Sequence, residues 1–426
     1  MPNNLFQRGI RCKAGVQTAA ALLVALHVAD AVADDDAAAR MFSFSGFGTF
    51  GLVHSSEQQA DFTSTIFKPN GAGYSRAWSA DVDSLIAGQV IANFTPKVSA
   101  VLQVVSEQNY DNTYRPHVEW ANVKYQFTPD FSARIGRTAL PVFMLTDSRL
   151  IGYANPWVRP PIELYGLSSI TSNDGVDASY RLALGSAINT VQVSAGQTDF
   201  RFPTAGGSGV GHARDLAWFV DTFERGFTTL RVSYGETRVT VPLYAPLFDA
   251  FREFGPEGTA IADKYDVNRR LVRFLGLGAS YDPGTWFVMG EWGDIDSDSI
   301  IGDNSGWYVS SGYRFGKFTP YVTFAARRAD STTSDPGLTL AGLPPVLAGT
   351  AGALNASLNS QLGTRVVQNT LSIGSRWDFT KNAALKLQLE HTRHGAGSAG
   401  TLINVQPGFQ PGGGVNVISA TIDFVF

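Results

Sequence analysis

ISATIDFVF, residues 418–426, closes the sequence. Ile418, Ala420, Ile422, Phe424 and Phe426 fall on one side of an extended chain, and Ser419, Thr421 and Asp423 fall on the other. That is the two-residue period of a strand. Termini ordinarily carry small or polar residues and fray. An apolar strand that runs to a bare phenylalanine therefore needs something to tie it down. Two readings meet the pattern: the half-buried closing strand of a soluble sandwich, or a lipid-facing strand that closes a transmembrane barrel. The rest of the sequence chooses between them.

Residues 1–33 read as an export leader. Arg8, Arg11 and Lys13 precede a mostly apolar run, and Ala31-Val32-Ala33 offers small residues for cleavage. The run is shorter than the roughly 20 residues that a membrane-spanning helix needs. Cleavage after Ala33 leaves residues 34–426 as one domain, with no composition shift to mark a second. Cys12 departs with the leader, so no disulfide can staple the exported chain. The net charge of −4 becomes −6 once three cations and one anion go with the leader. Such a balance offers no basic face to a nucleic acid.

Short alternating runs repeat along the whole mature chain, from 43–53 through 415–426, about sixteen in number. Every second connection between them is tiny: Thr95-Pro96-Lys97, Thr128-Pro129-Asp130, Glu224-Arg225-Gly226, Pro283-Gly284, Gly316-Lys317. The intervening ones are mostly longer, above all 139–173 and 329–366. A sandwich has no reason to alternate short and long connections; a membrane barrel with tight periplasmic turns and long outer loops does. Aromatic residues at the turn edges, among them Phe94, Phe127, Phe131, Phe227, Trp286, Phe315, Phe318 and Phe379, suit an interfacial girdle. The fold expected is all-β: an antiparallel transmembrane barrel whose last strand pairs with its first and leaves no sheet edge.

Enzymatic chemistry finds no support. His391 and His394 stand three apart on a strand and face opposite sides, so they cannot share a metal. Residues 206–211, GGSGVG, mimic a phosphate loop but lack its Lys-Ser/Thr ending and read as a flexible outer loop. No enzyme activity, metal or cofactor is expected.

The segment 139–173 differs from the other long connections. Pro156, Pro160 and Pro161 stiffen it, and Leu140, Phe143, Met144, Leu145, Leu150 and Ile151 give it apolar surface to bury. Around it, Ile135-Gly136-Arg137, Leu140-Pro141, Gly152-Tyr153-Ala154, Trp157, Arg159-Pro160-Pro161 and Glu163-Leu164-Tyr165 resemble the corresponding region of porin-like outer-membrane proteins of Proteobacteria. The acidic Pro-Glu-Phe-Gly-Gly loop motif of enterobacterial general porins is absent, and the loop after the third strand, 110–116, is short. The resemblance implies a loop after the fifth strand that folds inward and constricts a channel. It also implies a Gram-negative outer-membrane location among lipid and lipopolysaccharide, passage of small hydrophilic solutes, and assembly as a homotrimer by the barrel-assembly machinery. The terminal Phe426, with Phe424 before it, resembles the insertion signal that this machinery reads.

Alternation puts eight cations and six anions on the lumen side, Lys124, Arg134, Arg181 and Asp177 among them. Solubility alone demands that parity, since Arg or Lys at mid-bilayer costs roughly 2–4 kcal/mol. The charges expected to select solutes are those level with the constriction. They are Arg134 and Arg181 on the flanking strands, and Asp147, Arg149, Arg159 and Glu163 within the segment. A water-filled pore with a weak tilt to anions, led by Arg134 and Arg181, is the first expectation. A structural or adhesive surface barrel, binding a partner through its outer loops, is the alternative.

Overall fold

The computed structural model describes residues 41–204 and 206–426; the expected leader at 1–33 lies outside the described residues. Sixteen long strands follow one another: β1 (Phe42–Ser55), β2 (Leu85–Asn93), β3 (Val98–Glu107), β4 (His117–Gln126), β5 (Phe131–Ala139), β6 (Ser172–Leu184), β7 (Ala187–Thr204) and β8 (Gly207–Arg225). The second half comprises β9 (Thr228–Thr240), β10 (Arg270–Tyr281), β11 (Trp286–Ser297), β12 (Asn304–Tyr313), β13 (Phe318–Ala329), β14 (Gln368–Trp377), β15 (Ala383–His394) and β16 (Gly414–Val425). Each pairs antiparallel with the next, and β16 pairs with β1 from Phe47↔Val425 to Ser55↔Val417, which closes the barrel. Two backbone bonds finish the seam, Gly46 N–H to Phe426 O at 2.8 Å and Phe426 N–H to Gly46 O at 3.0 Å.

The accessible surface decides which face is which. On β15, Leu387 and Leu389 are more than half exposed, whereas Lys386, Gln388, Glu390 and Thr392 are buried. On β16, Ile418 and Ile422 point outward while Ser419, Thr421 and Asp423 are at most 1% exposed. Apolar outside and polar inside inverts the arrangement of a water-soluble barrel and matches one that faces lipid. Tight turns join alternate strands at one end; Gly185, Gly226, Gly284 and Gly316 sit in them at φ between 57° and 95°, where a Cβ would be strained.

Three regions depart from plain alternation. Residues 206–211 are not a loose loop. From Gly207 on they extend β8 and pair with Phe200–Thr204 of β7, and the rings of Phe200 and Phe202 lie over Gly211 and Gly209. The correction has a physical reason: glycines in a strand gain stability when aromatic rings across the pair cover their bare backbone. The outer connections are also partly helical, with α2 (Ala245–Arg252) and α3 (Gly255–Tyr265) between β9 and β10, and α4 (Pro345–Leu362) between β13 and β14. Phe248, Phe251, Ile261, Leu338, Leu358 and Leu362 unite them in one apolar cluster.

The third is the connection from β5 to β6, which contains the single turn α1 (Ile162–Tyr165). Leu140, Val142, Phe143, Trp157, Leu164 and Tyr165 pack against Trp218, Phe274, Phe287, Tyr308 and Tyr321 of the barrel wall. The wall there is apolar on its inner face because this segment, not water, covers it.

Candidate functional site

The β5–β6 segment is fastened by polar bonds to inward-facing side chains far away in sequence. Trp157 Nε1 donates to Ser310 Oγ at 2.8 Å. The Glu291 carboxylate accepts from Met144 N–H at 2.7 Å, from Tyr165 OH at 2.6 Å and from Tyr308 OH at 2.8 Å. Lys386 Nζ donates to Gly152 O at 2.6 Å and to Trp157 O at 2.7 Å, and pairs with Asp423 at 2.9 Å. Burial and the neighbouring Glu291 push the Tyr165 phenol well above its ordinary pKa, so it remains a donor.

Arg159 is the tightest of these anchors. Its guanidinium meets Asp83 through Nε at 2.8 Å and Nη2 at 2.7 Å, reaches Glu390, and donates to Ser419 Oγ at 2.7 Å. Burial would lower its pKa, but Asp83 and Glu390 offset this and hold it above the usual value. Glu163, buried in α1, accepts from Gln368 Nε2 at 2.6 Å and from Thr370 Oγ1. Both residues, expected to charge the constriction, thus spend their charges fixing the segment to the wall.

The remaining expected charges sort by partner. Arg134 Nε bonds Asp177 Oδ1 at 2.7 Å, so that pair is nearly neutral from a distance. Lys124 and Arg181 face inward on β4 and β6 with no ion pair among the described residues, and Arg181 is exposed. Asp147 is exposed on the segment, within electrostatic reach of Arg134 and of Arg231 on β9. Arg149 makes one weak bond, Nη1 to Ser168 O at 3.4 Å, and stands 5.7 Å over the Tyr165 ring. Burial lowers its pKa. At the seam, the rings of Phe424 and Phe426 stack at 6.3 Å and cover Gly48 and Gly46 of β1.

Two cavities flank the segment. The one on the long-loop side, about 550 Å³, lies against β1 to β7 and has Arg149, Arg159, Glu107 and Glu119 in its lining. The one toward the tight turns, about 440 Å³, lies against β10 to β14 and includes Asp282, Arg314 and Arg376. Asn155 borders both. Asp83 and Glu119 are site residues that alternation does not reveal. Asp83 precedes β2 in a loop. Glu119 follows from a bulge, since Gln103↔Trp120 is succeeded by Val104↔Val118. The extra residue flips the parity of β4 and turns Glu119 inward, where it is buried.

No family model matches the sequence, and no curated protein matches it. Solved structures match its fold. The outer membrane channel DcaP of Acinetobacter baumannii aligns with a TM-score of 0.53 at 10% identity, over 90% of this chain and 97% of that one. Outer-membrane expressed OmpT of Vibrio cholerae gives 0.51 at 10% identity, over 93% of this chain and 100% of that one. Salmonella typhi OmpF, in complex with daunomycin, gives 0.51 at 10% identity, over 90% and 97%. The chain has the sixteen-stranded porin fold of Gram-negative outer-membrane proteins.

Proposed function

We propose that the protein is an outer-membrane porin. It opens a water-filled path for passive diffusion of small hydrophilic solutes across the outer membrane of a Gram-negative bacterium, and it tilts weakly toward anions. The observation that carries this reading is the inside-out alternation of a closed sheet: polar inner positions where the internal segment does not cover the wall, an exposed apolar outer belt, and open space on both sides of that segment. The segment 139–173 is the constriction in this reading. Assembly as a homotrimer fits one outer feature. Arg137 and Asp174 form a two-bonded ion pair, both bonds 2.7 Å, on the face shared by exposed Ile135 and Val176. A neighbouring copy over that wall takes the pair out of lipid.

The anion tilt rests on Lys124, Arg181 and Arg231, which have no carboxylate partner among the described residues, against Asp147 on the segment. Low-dielectric walls focus such charges at a narrow point. Reversal potentials in a potassium chloride gradient test it. The wild type favours chloride slightly, and Arg181→Ala moves the pore toward potassium. The joint removal Arg134→Ala with Asp177→Ala leaves selectivity nearly unchanged, because it deletes a neutral pair. A strongly cation-selective wild type that Arg181→Ala does not alter overturns the assignment.

A further inference from the structure

The long-loop cavity holds charges that its own walls leave largely unused. Glu107 on β3 stands 3.7 Å from the Lys68 ammonium, an ion pair without a hydrogen bond, while Lys68 donates instead to Asp81 O at 2.8 Å and Val82 O at 3.1 Å. Glu119 on β4 has, among the described residues, only His117 Nε2, also at 3.7 Å. Neither distance is a hydrogen bond. On the segment, Arg149 makes one hydrogen bond among the described residues, at 3.4 Å to a carbonyl, and stands over the Tyr165 ring. The nearby Arg159 is different: two carboxylates and a hydroxyl saturate it. The lining also holds Arg137, paired with Asp174, and Arg201, which donates to the Tyr110 hydroxyl; among the described residues Arg149 is the guanidinium on the segment side without a carboxylate partner, and Glu107 and Glu119 are carboxylates on the barrel side without a hydrogen-bonded cation. The same lining includes apolar surfaces, the Phe67–Phe200 stack at 5.6 Å and the Tyr165 ring.

We propose that this cavity binds small zwitterions, specifically free α-amino acids with an apolar side chain. The solute carboxylate sits on Arg149, its ammonium on Glu107 and Glu119, and its side chain against Phe67 and Phe200. A monovalent ion satisfies one side and is repelled by the other, whereas a dipolar solute of zero net charge satisfies both. The space of about 550 Å³ accommodates such a molecule with water around it. This inference deepens the porin reading and rests on it for its physiological meaning, since it names the solute class that the outer vestibule retains.

The test is equilibrium binding by saturation-transfer NMR to the full, folded protein in detergent. L-Leucine is compared with 4-methylpentanoate, which carries only the carboxylate, and with isopentylamine, which carries only the ammonium. L-Leucine binds roughly tenfold more tightly than either, the worth of one additional charge-assisted contact. Arg149→Gln weakens L-leucine and 4-methylpentanoate and spares isopentylamine. Glu107→Gln with Glu119→Gln weakens L-leucine and isopentylamine and spares 4-methylpentanoate. A general loss of structure does not produce that crossed pattern. Equal binding of the three ligands to wild type, or no binding of L-leucine, overturns the proposal even if the variants fail to fold. Ion conductance measured on the same preparation keeps the two readings apart. A conducting barrel without amino-acid preference sinks this inference alone, and a silent barrel that shows the preference sinks the porin reading alone.

Discussion

At the scale of single residues, Arg159 shows how a charge within a barrel can be structural. Its side chain is 5% exposed, and its partners Asp83 and Glu390 are 4% and 7% exposed. Replacing only the arginine leaves two buried carboxylates facing each other with no cation. Breaking a buried pair in this way costs about 3–5 kcal/mol. Arg159→Ala is therefore expected to lower unfolding stability in detergent by about 3 kcal/mol or more. Adding Asp83→Asn and Glu390→Gln recovers much of it. Denaturant titration followed by tryptophan fluorescence checks both, and an Arg159→Ala protein as stable as wild type contradicts the anchoring role. Parity in the sequence does put Glu390 on the inner face. It gives no way to see that Arg159 would cross the barrel to meet it, because that contact joins residues more than two hundred positions apart. Glu119 escapes the alternation for a local reason, the bulge opposite Gln103 and Val104.

At the scale of elements, β16 is the strand whose sequence is most easily read. Its period of two, its outward isoleucines and its inward Ser419, Thr421 and Asp423 all appear in the structure at the expected positions. Pairing with β1 places the ring of Phe426 over Gly46, where a Cβ would collide with it. Deleting Phe426 removes both backbone bonds to Gly46 and the aromatic cover together. The expected outcome is a large loss of heat-modifiable, folded protein in the outer membrane, beyond what one frayed residue would cause. Wild-type levels of the truncated protein contradict a role for Phe426 in assembly. The outer connections are harder to read. The helices α2, α3 and α4 lack side-chain caps, α4 carries no charge, and they gain stability from packing on one another rather than from local signals. Residues 207–211 mislead for a similar reason, since their strand conformation depends on the aromatic rings of β7.

At the scale of the whole molecule, the decisive feature is an asymmetric interior. The β5–β6 segment covers the wall from β8 to β13 with aromatic and aliphatic side chains, while the side from β1 to β7 retains the cavity of about 550 Å³ and the inward Lys124 and Arg181. On the outside, apolar residues are exposed all around the sheet, from Phe44 and Leu52 on β1 through Leu230, Val309 and Ile373 to Ile422 on β16. Such a surface is stable in lipid and a liability in water. The central claim, a water-filled path through the side the segment leaves open, is tested most directly by planar-bilayer recording of the purified, folded protein. Stable ohmic conductance steps, one population per inserted unit, are expected. Folded protein that inserts repeatedly and carries no current contradicts it, and leaves a surface barrel acting through its outer loops as the better description.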